Sequence, residues 1–267
     1  MTTAPELHRV GSSCARPAAR GALWVLSVVG LLLPLVMPAC APARVELTPP
    51  ELLTSPYGVS AEPLWAVAPL RNESGTSAAD AMLASDALVA RIAEIRGITC
   101  LPMNRTLAAM RALRMSSIQS AEDAQALADA LGVDAIVAGS LTAWDPYTPP
   151  KVGMAIGLYP GRRSAMVRAS RFADAKSMQL AASEGSGVVQ SGAQPLSVVA
   201  EHLDATNHAV LFNVRRYAEG RHDFDTAFGW RRYTASMDLY VEFGAYWTIY
   251  RLLQEERVRV GRPERSG

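Results

Sequence analysis

The sequence predicts an α/β (α+β) sandwich: a small mixed sheet with helices packed on it, plus a helical C-terminal layer. Three observations predict it. Short apolar runs alternate with capped amphipathic segments between Leu64 and Trp144. Two apolar runs flank the proline-stiffened stretch Asp145–Lys151, as in an antiparallel hairpin. Beyond residue 196, apolar residues recur every three or four positions. A chain of 267 residues with 49% hydrophobic and 19% charged residues can build a real core, and its net charge of +1 sets up no strong field for nucleic acid.

In chain order, residues 1–39 read as an export signal. Arg9, Arg16 and Arg20 precede the apolar run "GALWVLSVVGLLLPLVMPA". The run is also long enough to span a bilayer as an uncleaved anchor. Pro34 and Pro38 break a regular helix near its end, which favours the cleaved signal. The run closes on "MPAC", which resembles a bacterial lipobox. That resemblance implies diacylglycerol on the Cys40 thiol, cleavage before Cys40 and acylation of the new amine, because one acyl chain alone holds a protein only marginally. An ordinary signal followed by a chance cysteine is the plainer alternative. Cys14 leaves with the signal and Cys100 sits in an apolar strand, so no disulfide framework holds the domain. Residues 40–63 form a lipidated cysteine and Pro-rich tether, whose extended reach is roughly 70 Å at ~3.1 Å per residue.

Residues 64–171 form the α/β domain. "LWAVAPL" is apolar on both faces, as a central strand requires. "RNESGTS" is a polar loop. Ser77, with Asp80 three residues on, is expected to cap a helix over 78–95 that turns Met82, Leu88, Val89, Ile92 and Ile95 inward and stops at Gly97. "ITCL" is a second strand, and Asn104 caps the helix that follows it. Ser120 caps the next helix, which ends at Gly132; "VDAIVAGSLTAW" and "VGMAIGLY" are strands joined by the rigid turn. Residues 162–171 read as a further strand, and 172–195 as a Gly/Ser-rich mobile loop.

Residues 196–258 read as a pair of helices. Val199, Leu203, Val210, Val214 and Tyr217 make one stripe; Leu239, Phe243, Tyr246, Tyr250 and Leu253 make the other. Half of the 18 aromatic residues fall between Phe224 and Tyr250, which marks a packed helical layer ahead of a docking surface. Residues 259–267 are a disordered basic tail.

Several segments carry a family resemblance: Leu70, Asn72 and Ser74 closing the first strand; Pro102, Asn104 and Leu107 after the second; and "LGVDAIVAG", Leu131–Gly139, forming the third. Together they resemble an envelope superfamily that includes the penicillin-binding protein activator LpoB, the curli secretion lipoprotein CsgG and the amino-terminal domain of TolB. The resemblance spans Leu64–Leu141 and implies a fold used for binding and assembly, with no catalysis. The tether is shorter than in LpoB-like proteins. "VGMAIGLY" does not alternate as a CsgG-like pore strand must, and the C-terminal third matches neither.

The residues themselves point away from chemistry. His8, His202, His208 and His222 form no ligand spacing, so no metal site is expected. Nothing suggests a cofactor. Asp204 and His208, four apart on the expected helix, lack a nucleophile and read as a surface pair. No catalytic residue is assigned. Three places read as partner-binding sites, each with a plainer alternative. Asn72, Glu73 and Ser74 form a loop at a strand end, or a turn bonded to itself. Tyr147 tips a rigid hairpin. Arg215, Arg216, Arg231 and Arg232, with Arg221, suit carboxylate or phosphate, or are neutralised by Glu219, Asp223, Asp225 and Asp238. The expectation is a non-enzymatic lipoprotein on the periplasmic face of the outer membrane. It is held in the membrane through Cys40 and binds periplasmic or envelope proteins, with no nucleic acid. The CsgG resemblance also allows a homo-oligomer in a secretion or transport complex.

Overall fold

A computed structural model describes residues 50–58, 61–162, 164, 194–222 and 226–261. The chain divides into two compact units, Met1–Glu46 and Leu47–Gly267, and every described residue lies in the second. Cys40 and the signal therefore lie outside the described residues. So do most of the expected strand over 162–171 and nearly all of the Gly/Ser-rich segment.

The elements are β1 (Leu64–Val67), β2 (Arg71–Asn72), α1 (Ala81–Ala93), β3 (Thr99–Cys100), α2 (Met103–Ala112), α3 (Ala121–Leu131), β4 (Ala135–Asp145), β5 (Lys151–Pro160), β6 (Ser197–Asp204), α4 (His208–Ala218), α5 (Arg232–Ala235) and α6 (Met237–Gly261). Among the described residues the sheet has six strands in the order β3-β1-β4-β5-β6, with β2 continuing beside β4. β1 runs parallel to β3 and β4, while β4–β5 and β5–β6 are antiparallel. The mixed sheet with helices packed on it is the predicted fold class.

Alternation along the strands divides the core in two. Trp65 and Val67 of β1, with Val137, Val152, Met154, Ile156 and Leu158, face α1, α4 and α6. Ala66, Ala68, Ile136 and Ala138 face Met110 of α2 and Ala124, Leu127 and Ala128 of α3. The second interface is built from small residues, so α3 lies close to the sheet. The capping predicted for α3 is present: Ser120 and Asp123 form a reciprocal capping box, and Gly132 ends the helix with φ +67°.

Elsewhere the local signals were misread. Asp80, not Ser77, caps α1, its carboxylate accepting from Leu83 N. The helix starts three residues late, so Met82 is exposed, and it ends at Glu94 before Gly97. α2 begins after Pro102 without a side-chain cap, so Asn104 lies inside it. Arg71–Asn72 belongs to the sheet instead of to a loop.

The largest correction is at Leu196–Asp204. The predicted helix is strand β6, antiparallel to β5 and joined to it from Leu158↔Ser197 to Lys151↔Asp204. Ser197, Val199 and Leu203 are buried and Val198, Ala200 and His202 exposed, a period of two. Val199 and Leu203 fit a helical stripe and a strand face equally well, being four apart; the β-branched pair Val198–Val199 and the free edge of β5 decide it. The C-terminal segment thus shares the sheet and core of 64–162 and is not a separate helical pair. Asp204 and His208 accordingly lie on a strand end and a helix start. Asp204 accepts from Thr206 N and Oγ1, with Lys151 3.0 Å away, and these hold its carboxyl down at about 2.

In α6 three of the five expected stripe residues, Phe243, Tyr246 and Leu253, are buried, while Leu239 and Tyr250 are only partly covered; the buried face is wider and also takes in Tyr240, Thr248, Leu252 and Glu256. The helix approaches the sheet at Gly244, where an added Cβ would stand 2.9 Å from Val152 Cγ1. It continues through Arg259 to Gly261, into the segment read as a disordered tail.

Part of the expected tether is also structured. Leu53 is buried, and Thr54 bridges in parallel to Arg96, with Ser55 N donating to Arg96 O and Arg96 N to Leu53 O. Tyr57 packs edge-on against Trp65, and its hydroxyl donates to Glu256 at 2.6 Å. Residues 50–58 therefore form a strap on the domain.

Candidate partner-binding site

The C-terminal aromatics fold inward first. Tyr217 meets Tyr233, Phe243 and Tyr246 with ring centroids 5.4, 5.8 and 4.9 Å apart, the packed layer expected from the composition. What remains outside is specific. Asn207 caps α4, its side chain accepting from Ala209 N, and the inward stripe Val210, Val214, Tyr217 leaves Phe212, Arg215, Arg216 and Glu219 on the opposite face. Phe212 is 61% exposed and Phe228, across the following turn, 66%. Gly229, at φ +46°, starts a short 3-10 turn that carries Trp230 and Arg231.

Arg215, Glu219, His222, Phe228, Trp230 and Arg231 line an open cavity of about 320 Å³. The Arg231 guanidinium lies 5.1 Å from the Trp230 ring centre. His222 Nδ1 donates to Ala218 O, which pins the cavity floor to the end of α4. A cation over an indole beside the exposed Phe228 ring suits an acidic or carboxylate-bearing partner with an apolar neighbour.

The predicted arginines separate. Arg215 and Arg231 share this cavity. Arg216 turns to the strap and pairs with Glu51 at 3.1 Å, beside a cleft of about 60 Å³ lined by Tyr217, Tyr246, Trp247 and Tyr250. Arg221 stacks 4.4 Å from the Tyr217 ring centre and donates to Tyr217 O and Glu51 O. Arg232 lies over Tyr233. The acid that answers an arginine here is Glu51, from the supposed tether; Asp223 and Asp225 lie outside the described residues. Phe212 and Phe228 were missed by sequence reasoning. Phe212 had a legible signal, since it sits two positions off the Val210–Val214–Tyr217 stripe.

The other predicted residues stand elsewhere. Asn72 Oδ1 accepts from Ser74 N and Oγ, Asn72 Nδ2 donates to Thr76 O, and Glu73 pairs with Arg71 at 2.6 Å. That is the self-bonded turn of the plainer alternative. Tyr147 is 81% exposed at the β4–β5 tip. β2 pairs with β4 in parallel at Asn72↔Leu141, so this turn and the tip leave the same end of the sheet. Cys100 is partly buried on β3, and burial pushes its thiol up to about 12, which keeps it protonated and unreactive.

No protein-family model matches the chain, and neither does any curated protein. Among solved structures, the LpoB C-terminal domain from Salmonella enterica is similar at 15% identity over 55% of this chain and 86% of that one, with a TM-score of 0.36. The hypothetical protein CT253 from Chlamydia trachomatis is similar at 10% identity over 75% and 96%, with a TM-score of 0.35. A PelC dodecamer from Paraburkholderia phytofirmans is similar at 15% identity over 45% and 71%, with a TM-score of 0.24. Each likeness is distant and concerns fold only.

Proposed function

We propose that this chain is an envelope lipoprotein, anchored through lipidated Cys40, whose domain binds a periplasmic protein and regulates or assembles its complex, as a penicillin-binding-protein activator does. It acts without catalysis. The observation that carries this reading is "MPAC" at the end of a basic-then-apolar leader. Ala41 after Cys40 lacks the aspartate associated with inner-membrane retention and favours the outer membrane. The exposed Phe212, Phe228, Arg215 and Arg231, with the partly buried Trp230 beside them, supply aromatic and arginine side chains of the kind that dominate protein interfaces. Asn72–Ser74 and Tyr147 offer a second, smaller contact at the far end of the sheet. Cys40→Ala should move the protein from the membrane to the soluble fraction; retention in the membrane overturns the anchoring. Cross-linking in cells should recover an envelope protein, and Phe228→Ala with Arg231→Ala should lose it while the fold is kept. Unchanged recovery removes this surface from the reading.

A further inference from the structure

We infer that the strap end of the domain, formed by residues 50–58, Arg96 and the last turns of α6, rests on the headgroup surface of an anionic bilayer and points the Tyr147 tip away from it. The inference builds on anchoring through Cys40. Three observations carry it.

The first is reach. Nine residues, 41–49, separate Cys40 from the strap, and at ~3.1 Å per residue they extend at most about 28 Å. The strap is itself fastened: Leu53 is buried, Thr54 bridges to Arg96, Arg257 Nη2 donates to Thr54 O at 3.1 Å, and Tyr57 reaches Glu256. The anchor therefore tethers one defined end of the domain.

The second is surface chemistry at that end. Leu52 is 43% exposed, and in the last turns of α6 Val258 and Val260 are 57% and 46% exposed beside Arg257, while Arg259 between them is paired with Glu256. Arg96 and Arg257 have no carboxylate partner among the described residues. Exposed apolar side chains interleaved with arginine suit the interface of an anionic leaflet. Each contact is weak, but a short tether holds the surface at an effective concentration on the order of mM, so weak contacts suffice.

The third is polarity of the fold. Glu256, at this end, accepts from Ser197, which stands opposite Leu158; the tip adjoins Lys151, seven residues away along β5. At ~3.4 Å per residue the two ends are roughly 24 Å apart. Docking one end presents the other.

The test uses the full lipidated chain, with Cys100→Ser, reconstituted in phosphatidylcholine vesicles with and without phosphatidylglycerol. A fluorophore is placed at Val258→Cys or Tyr147→Cys, and spin-labelled lipid headgroups serve as quencher. The expected result is quenching at position 258 but not at 147, enhanced by phosphatidylglycerol and lost in high salt or with Arg96→Glu. Arg96→Glu is an exposed change, and circular dichroism checks its fold. Equal quenching at both positions, or stronger quenching at 147, overturns the inference while anchoring stands. A chain that does not float with the vesicles overturns the anchoring itself, and this inference with it.

Discussion

Glu256 is fully buried yet has four donors: Tyr57, Ser197 and two nitrogens of Arg259. Burial pushes its carboxyl up, but the hydrogen bonds from Arg259, Ser197 and Tyr57 outweigh burial and hold it below the ordinary value. A lowered folded-state value means the stabilisation is complete above the unfolded carboxylate value of about 4.3 and fades as pH falls through the folded one. Glu256→Gln should therefore cost about 2 kcal/mol at neutral pH, with the gap to the parent narrowing below about pH 4; denaturant titrations across pH read this. Tyr240 is the opposite case. Its hydroxyl is buried with no partner among the described residues, and burial pushes it up. Tyr240→Phe should raise stability by roughly 1 kcal/mol, since nothing is lost but an unsatisfied group; a lower thermal midpoint would show that a water or an undescribed residue satisfies it.

Two elements can be tested through their packing. α6 is held against β5 and β6 by the small side of Gly244, close to Val152 and Leu203. Gly244→Val should destabilise the domain by about 1–3 kcal/mol through overpacking, although valine costs less than glycine in backbone entropy. Ser120→Ala removes half of the α3 capping box and should cost about 1 kcal/mol. Both are read as shifts in the denaturant midpoint with unchanged slope. A similar loss at each would argue that the helix–sheet contact is softer than the steric distances indicate.

In the molecule as a whole, opening the strap should leave the sheet intact. Among the described residues its backbone joins the main-chain ladder through Ser55 N to Arg96 O and Arg96 N to Leu53 O, with the side chains of Arg221 and Arg257 donating to Glu51 O and Thr54 O. Leu53→Ser should release amide protection at Ser55 and Arg96 in hydrogen exchange and leave the amides of β4 and β5 as slow as before, because local opening need not pass through global unfolding. Loss of protection across β4 would instead make the strap part of the cooperative core.

Much of the fold was legible in sequence wherever the signal was local. Ser120 with Asp123 and Gly132 bounded α3, because a cap is decided within four residues. "LWAV" and "AIVAG" announced strands buried on both faces, because doubly covered strands need no polar alternation. What tertiary structure decided was everything that depends on a distant partner. Val199 and Leu203 became a strand because β5 had an open edge to pair with. Leu53 and Tyr57 became a strap because Arg96 and Glu256, distant in sequence, offered backbone partners and an acceptor. Arg215 and Arg231 were brought to one cavity by the turn after α4, and Arg216 was met by Glu51 through the docking of the strap. A sequence records which side chains prefer water, but only the packed chain determines which of them meet.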